Sequence, residues 1–296
     1  MSEINQILEP SNENWAALVA ETLQQLRQQR PLVYCLTNFV TVNDVANGLA
    51  AIGASPVMSA APEEAEELIG YAGALLLNPG TLNQEFNQLM FEAVGIANRR
   101  GIPCVLDPVG SGATRLRTTT CADISHQPAV KLVRGNLGEI VSLAGISAQA
   151  QTKGVDSVSG GDETTEDSEA TRATLALQQK LGRGAVCATG ARDTATDGIR
   201  LVRVSNGHAW LPGISGSGCT LGGICAGFLA VAEPLTAAVS GLVCYGVAAE
   251  IASEKSSGPG SLKVNIFDAL YNLTPEAVLE RARVTGYTLA GVTQEA

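Results

Sequence analysis

The sequence predicts an α/β fold, a central, mainly parallel sheet with helices on both faces. Two observations carry this expectation. Short, continuous apolar runs such as Leu32 to Leu36 and Ala74 to Leu77 alternate with longer segments of helical period. A strand that is apolar at every position has both faces buried, the condition of a parallel sheet covered by helices. Polar or glycine-rich residues also follow several of these runs at once: Thr37-Asn38, Asn78-Pro79-Gly80, Asp107-Pro108-Val109-Gly110, Arg134-Gly135-Asn136 and Thr189-Gly190. Ligands of open α/β sheets bind at the carboxyl ends of the strands, and the polar chemistry of this chain collects there.

In chain order, Trp15, Leu18, Val19, Thr22, Leu23 and Leu26 form a stripe at helical spacing, and Ser11 or Asn12 supplies a cap. After Pro31 the run Leu32 to Leu36 reads as a buried strand. Further strands are expected at Pro56-Val57-Met58, Ala74 to Leu77, Pro103 to Leu106, Val130 to Val133 and Gly184 to Ala188. Helical patterns at Pro62 to Tyr71 and Leu82 to Arg100 separate some of them. The stretch 157–169 is rich in Ser, Gly, Asp, Glu and Thr and reads as an exposed polar loop. Strand–helix alternation has the same character on both sides of it, so residues 1–296 are expected to form a single domain with this loop as an insertion.

Composition narrows the function. A formal net charge of -10 opposes a nucleic-acid or anionic-membrane partner, both of which need basic surface. No run of about 18 uninterrupted apolar residues is present, so no membrane span is expected. The start, Met1 to Asn12, has no basic segment ahead of an apolar core, so no secretory signal is expected. The seven cysteines contain no CxxC pair and most lie in apolar runs, which reads as reduced core thiols of a cytoplasmic protein. With two histidines, His126 and His208, histidine-based metal or triad chemistry is nearly excluded.

The sharpest motif is Gly213-Ile214-Ser215-Gly216-Ser217-Gly218-Cys219-Thr220-Leu221-Gly222-Gly223, followed by an apolar helix through Ala230. Closely spaced glycines let successive N–H groups point into one concavity, and a helix starting near Gly218 adds unpaired amides and the positive end of its dipole. Such a turn holds an anion, including charge developing on a transferring phosphoryl group; it also serves simply to pack a helix on a sheet. It is not a Walker A loop, because no Gly-Lys-Ser/Thr closes it, nor a dinucleotide fingerprint, because it lies late in the chain. Cys219, at the helix start, is a candidate base or nucleophile or else one more packed cysteine. In Arg134-Gly135-Asn136-Leu137-Gly138-Glu139, Glu139 is placed to hold Mg2+ through water and Asn136 to orient that water or a phosphate. The same spacing makes a capping box. Asp107 is a second water-mediated metal contact or a turn-forming residue, and Thr189 offers a hydroxyl to phosphate or belongs to an ordinary turn.

Taken together, these segments resemble the hydroxyethylthiazole kinase family of the ribokinase-like group. The resemblance runs from Pro31 to about Leu229. Besides the motifs above, it includes Thr37-Asn38-Phe39-Val40, Gly53-Ala54-Ser55-Pro56-Val57-Met58, Asn78-Pro79-Gly80-Thr81-Leu82 and Gly154-Val155-Asp156-Ser157. Cys219 is the telling residue, because most ribokinase-like enzymes carry aspartate there. The resemblance implies a ribokinase-like fold and ATP-dependent phosphorylation of 4-methyl-5-(2-hydroxyethyl)thiazole with Mg2+, for thiamin salvage. It implies that Arg134 and Thr189, with Asn136, contact ATP, and that Asn38, Met58 and Gly216 lie on the substrate side. It also implies that Asp107 and Glu139 serve magnesium and that Cys219 lies beside the reacting hydroxyl within the Gly216–Gly218 cradle. It further implies a homotrimer. Phe39 stands where tyrosine is expected, and the polar run after Ser157 is longer than the family needs. Competing readings are a kinase for another small alcohol, an ATP-dependent hydro-lyase on the same scaffold, and a non-catalytic nucleotide-binding regulator.

Overall fold

The computed structural model describes residues 8–146 and 165–289. Its centre is a parallel block of strands: β2 (Leu32–Leu36), β3 (Ser55–Val57), β4 (Ala74–Leu77), β5 (Cys104–Leu106), β6 (Val130–Asn136) and β7 (Ala185–Thr189). The apolar runs set these strands because each side chain has a core to enter. Val33, Cys35, Ala74 and Leu76 point into one hydrophobic cluster, and their alternates Tyr34, Leu36, Leu75 and Leu77 point into a second on the other face.

The first cluster is closed by α1 (Trp15–Gln29), α2 (Val42–Ile52), α8 (Ser217–Leu229), α9 (Pro234–Ser253) and α10 (Pro259–Asn272). The second is closed by α3 (Pro62–Tyr71), α4 (Gln84–Arg100), α5 (Arg115–Ser125), α6 (Leu137–Ala144) and α7 (Thr165–Leu181). Among the described residues α9 is the one helix long and apolar enough to cross a membrane, but 89% of its apolar window is buried inside the fold, so it is a core helix. All seven cysteines are buried and free of disulfides.

An antiparallel extension completes the sheet: β8 (Asp193–Thr196), β9 (Arg200–Val204), β10 (Val284–Leu289) and β1 (Leu8–Pro10). The order across the sheet is β1-β10-β9-β8-β7-β6-β5-β4-β2-β3. A short helix, α11 (Pro275–Arg281), leads into β10. The parallel core falls where the sequence predicts it, to within a residue or two at most ends, and β6 runs on to Asn136. Three details differ. The cap of α1 is Asn14, whose side chain accepts from the Ala17 amide; Ser11 instead accepts from the Glu13 amide. Residues Thr165 to Glu169, expected in the polar loop, form the start of α7; the rest of that loop lies outside the described residues. The four antiparallel strands have no counterpart in the apolar-run reading.

Candidate active site

Strand order turns separate strand ends into one polar row. Residues at the carboxyl ends of β2, β4, β5, β6 and β7 are neighbours, and their side chains bond in that sequence. Asn38 donates to Asn78 Oδ1 at 3.1 Å. Asn78 donates to Asp107 Oδ2 at 2.8 Å. Asp107 Oδ1 lies 3.5 Å from Arg134 Nη1, and Arg134 Nη2 donates to Thr189 Oγ1 at 2.8 Å. All except Thr189 are buried. Asn78 and Thr189 flank this buried pair and bond one atom of each partner, Asp107 Oδ2 and Arg134 Nη2, which offsets part of its desolvation.

Helix α8 lies across this row. Arg134 Nη1 donates to Gly218 O at 3.1 Å, and Asn38 Nδ2 also reaches Cys219 Sγ at 3.3 Å. Close approach requires glycine at two points. A Cβ on Gly218 would sit 3.0 Å from Arg134 Nη1, and one on Gly222 would sit 3.1 Å from Asp107 Oδ2. Gly216, at φ +86°, is the N-cap residue that starts the helix. The first turn donates Ser217 N–H to Ile214 O and Thr220 N–H to Gly216 O, whereas the amides of Gly218 and Cys219 donate to nothing among the described residues. The Gly218 donor belongs to a cavity of about 850 Å3 lined by Arg134, Asn136, Thr189, Gly216, Ser217 and Gly218 on one side, and the Cys219 donor follows it on the same first turn of α8. A buried guanidinium, free amides and a helix N-terminus facing one space make an anion site.

Glu139 lies at the start of α6. Its Oε2 accepts from the Asn136 amide and Asn136 Oδ1 accepts from the Glu139 amide, both at 2.9 Å, completing the expected capping box. Its Oε1 accepts from Gly110 N at 2.9 Å, which ties the loop after Asp107 to this helix. Gly135 leaves room for the carboxylate, since a Cβ there would meet Glu139 Oε2 at 3.1 Å. Met58 follows β3, the edge strand beside β2, and is partly buried against the first core cluster.

Electrostatics separate the candidate bases. Burial pushes the Asp107 carboxyl up to about 6, against the opposing pull of Arg134, while the nearby Glu139 adds to the rise. Burial, reinforced by the Asp107 charge, also raises the Cys219 thiol, although hydrogen bonds from Asn78, Thr41 and Asn38 act the other way. The helix start therefore does not make Cys219 a thiolate at neutral pH, because desolvation outweighs it.

Two groups outside the sequence reading shape the cavity, one by holding its wall and one by lining it. Glu250 on α9 accepts from Asn206 Nδ2 at 3.1 Å and Gly207 N at 2.8 Å, fixing the loop that forms the far wall. Asp193 lines the same cavity and accepts from Gly190 N at 3.1 Å. Burial pushes its carboxyl up to about 7, partly offset by the Gly190 amide and Arg134. The folded state thus holds this proton more tightly than the unfolded chain. Its contribution is fully present below about pH 4 and is lost as pH rises through about 7. Asp193→Asn, which keeps the acceptor for Gly190, is expected to flatten the fall in wild-type stability over that interval. The difference should be on the order of 1–4 kcal/mol, read from denaturant midpoints at each pH. Parallel pH profiles for the two proteins would show that Asp193 carries no such cost.

Comparison with known proteins identifies the family. A sequence profile described as the hydroxyethylthiazole kinase family matches residues 23–276. A hydroxyethylthiazole kinase of Desulfatibacillum aliphaticivorans is 45% identical over 272 residues, covering 92% of this chain and 98% of that protein. One from Pyrococcus abyssi is 42% identical, covering 90% and 97%. The solved hydroxyethylthiazole kinase of Pyrococcus horikoshii superposes with a TM-score of 0.82 at 40% identity, over 90% of this chain and 98% of that one. A pyridoxal kinase from Staphylococcus aureus solved with ADP shares the fold, at a TM-score of 0.55 and 14% identity over 74% and 87% of the two chains. The chain belongs to the hydroxyethylthiazole kinase family, on a ribokinase-like α/β fold.

Proposed function

We propose that this protein transfers the γ-phosphoryl group of ATP to the hydroxyl of 4-methyl-5-(2-hydroxyethyl)thiazole, a step of thiamin synthesis or salvage in the cytoplasm. The observation that carries the reading is the pair of free amides on Gly218 and Cys219 beside the buried Arg134 guanidinium. Phosphoryl transfer passes through a loose transition state, so catalysis is mostly positioning and neutralisation of charge. Arg134 is held rigid by Gly218 O and Thr189 and presents a fixed positive charge to the cavity. The amides of α8 meet the charge that grows as the terminal phosphate leaves. Asn38, Met58 and Gly216 flank the acceptor side, where the thiazole alcohol lies against Cys219.

The residues present fit a magnesium ion. Asp107 Oδ1 is buried with no hydrogen bond among the described residues, and each Glu139 oxygen accepts one amide, leaving further lone pairs. No cluster of three or more His, Cys, Asp or Glu side chains suited to a metal occurs among the described residues. That pattern suits Mg2+, which keeps several waters and needs only one or two carboxylates. Glu139 and Asp107 would hold it through water, and bound Mg2+ supplies charge neutralisation on the phosphates. Glu139→Gln is expected to raise the Mg2+ concentration required for half-maximal activity; a titration superimposable on the wild type would remove Glu139 from this role.

Cys219, raised above its ordinary value, is ranked below the cradle as a source of rate. Cys219→Ala should keep measurable turnover, with a loss near the low end of the ~10²–10⁴-fold typical of a general base. A folded, ATP-binding variant with no turnover would reverse that ranking.

The acceptor end offers an apolar surface to the proposed homotrimer. Phe39, Val40 and Leu116 are 65%, 68% and 60% exposed in the single chain. Arg117, next to Leu116, bonds the carbonyls of Pro79 and Gly80, and Gly80 packs on Asn38. The exposed apolar residues thus lie around the acceptor, where a second subunit would cover both. Sedimentation equilibrium tests the mass. ADP release with the thiazole alcohol, with a pyrimidine alcohol and with no acceptor tests the activity. Release only with the thiazole supports the reading, and ATP binding without alcohol-dependent release would mark a regulator instead.

A further inference from the structure

The first residue of α8, Ser217, faces the cavity between the two glycines of the cradle. Its Oγ lies 3.2 Å from the Oη of Tyr245 on α9. Tyr245 is 5% exposed, and its ring reaches the same cavity from beneath the helix. Burial pushes its phenol up to about 12, so it is a neutral group with one proton to donate. Among the described residues, neither hydroxyl has another hydrogen-bond partner given by geometry.

Two hydroxyls in contact share one hydrogen bond, and its direction decides what the second proton does. If Ser217 donates to Tyr245, the phenolic proton is left without an acceptor in a buried place. If Tyr245 donates to Ser217, the serine proton is free to turn to the cavity rim, beside the free amides of Gly218 and Cys219. An anion in the cavity favours the second arrangement, because it accepts from Ser217 and polarises the chain Tyr245–Ser217–anion in one direction.

We propose that Tyr245 is a positioning residue for phosphoryl transfer, its hydroxyl donating to Ser217 Oγ so that the Ser217 hydroxyl becomes a third donor of the phosphoryl cradle. This rests on the reading of α8 as that cradle. Tyr245 touches no phosphate itself; it fixes the rotamer and proton of the residue that does.

The test is a double-mutant cycle on the full chain, with ATP, Mg2+ and the thiazole alcohol. Tyr245→Phe and Ser217→Ala should each lower kcat by roughly 10–100-fold, the scale of a hydrogen bond to a charged group, with a smaller change in KM for ATP. The double variant should be no slower than Ser217→Ala alone, because Tyr245 acts through Ser217. Ser217→Thr, which keeps the hydroxyl, should recover most of the rate. Wild-type kcat in either single variant, or losses that multiply in the double, would overturn the proposal. If Tyr245→Phe fails to fold, the Ser217→Ala and Ser217→Thr pair still decides: equal rates for the two reject a hydroxyl donor. Multiplying losses in an enzyme with thiazole-dependent ADP release reject only the relay. Absence of that release in the wild type rejects the underlying cradle reading and this proposal with it.

Discussion

Arg134→Met is expected to reduce turnover by about 10³-fold or more and to destabilise the fold by roughly 3–5 kcal/mol. The two effects have separate origins. The guanidinium is the fixed cation facing the cavity, so its loss removes charge stabilisation from the transferring phosphoryl group. It is also the partner of Asp107, at 3.5 Å and with both side chains buried. Without it, Asp107 is a buried carboxylate stabilised chiefly by Asn78, and its carboxyl climbs further above the value of about 6 that it has with Arg134 present. Asp107→Asn in the Arg134→Met background should therefore restore much of the stability while leaving the enzyme inactive. Thermal unfolding and ADP release on the two variants check this. Recovery of activity by the double variant would show that Arg134 serves only to neutralise Asp107. Arg134→Lys should fall between, because a single ammonium cannot reach both Gly218 O and Thr189 Oγ1 as the planar fork does.

The part of the fold that the sequence discloses is the part in which one local pattern decides the outcome. Leu32–Leu36 and Ala74–Leu77 have the same limits in sequence and structure, since an unbroken apolar run has two buried faces to fill and ends where polarity returns. Strands β8, β9 and β10 carry mixed patterns, Asp193–Thr196, Arg200–Val204 and Val284–Leu289. Their identity comes from partners far along the chain, as when Val284 pairs with Val204. No local period records such a pairing.

The site divides in the same way. Asn38, Asp107, Arg134, Asn136 and Thr189 are visible one by one because each follows an apolar run. Their order as a hydrogen-bonded row is a consequence of the sheet order β2-β4-β5-β6-β7, which composition does not reveal. Asn78 is visible as a strand end but not as the bridge from Asn38 to Asp107. Ser217 and Tyr245 meet only because α8 packs on α9, and Glu250 finds the Asn206 loop for the same kind of reason. The desolvation that keeps Cys219 protonated is likewise a property of packing. A cysteine at a helix start reads as activated until the burial around it is known.

Gly216→Ala is expected to cut kcat by about 10²–10³-fold, comparable to deleting a donor from an oxyanion hole, although it removes no polar side chain of the site. The residue has φ +86°, a conformation that costs an L-amino acid roughly 1–2 kcal/mol. The added Cβ would also collide with Thr41 Cγ2 and lie 3.0 Å from Thr41 Cβ. Relief requires α8 to withdraw or Thr41 to move, and Thr41 is buried with its amide bonded to Asn38 Oδ1 at 3.1 Å. Either movement reaches both sides of the reaction: the Gly218 and Cys219 amides on the phosphate side, and Asn38 on the acceptor side. Thr41→Ser in the Gly216→Ala background removes the Cγ2 contact but neither the backbone strain nor the Cβ contact. Part of the rate should return with it, and the unfolding midpoint should rise by a corresponding step. If Gly216→Ala instead turned over at the wild-type rate, the exact placing of the α8 amides would be irrelevant to catalysis, and the charge on the departing phosphate would have to be met by Arg134 and the metal alone.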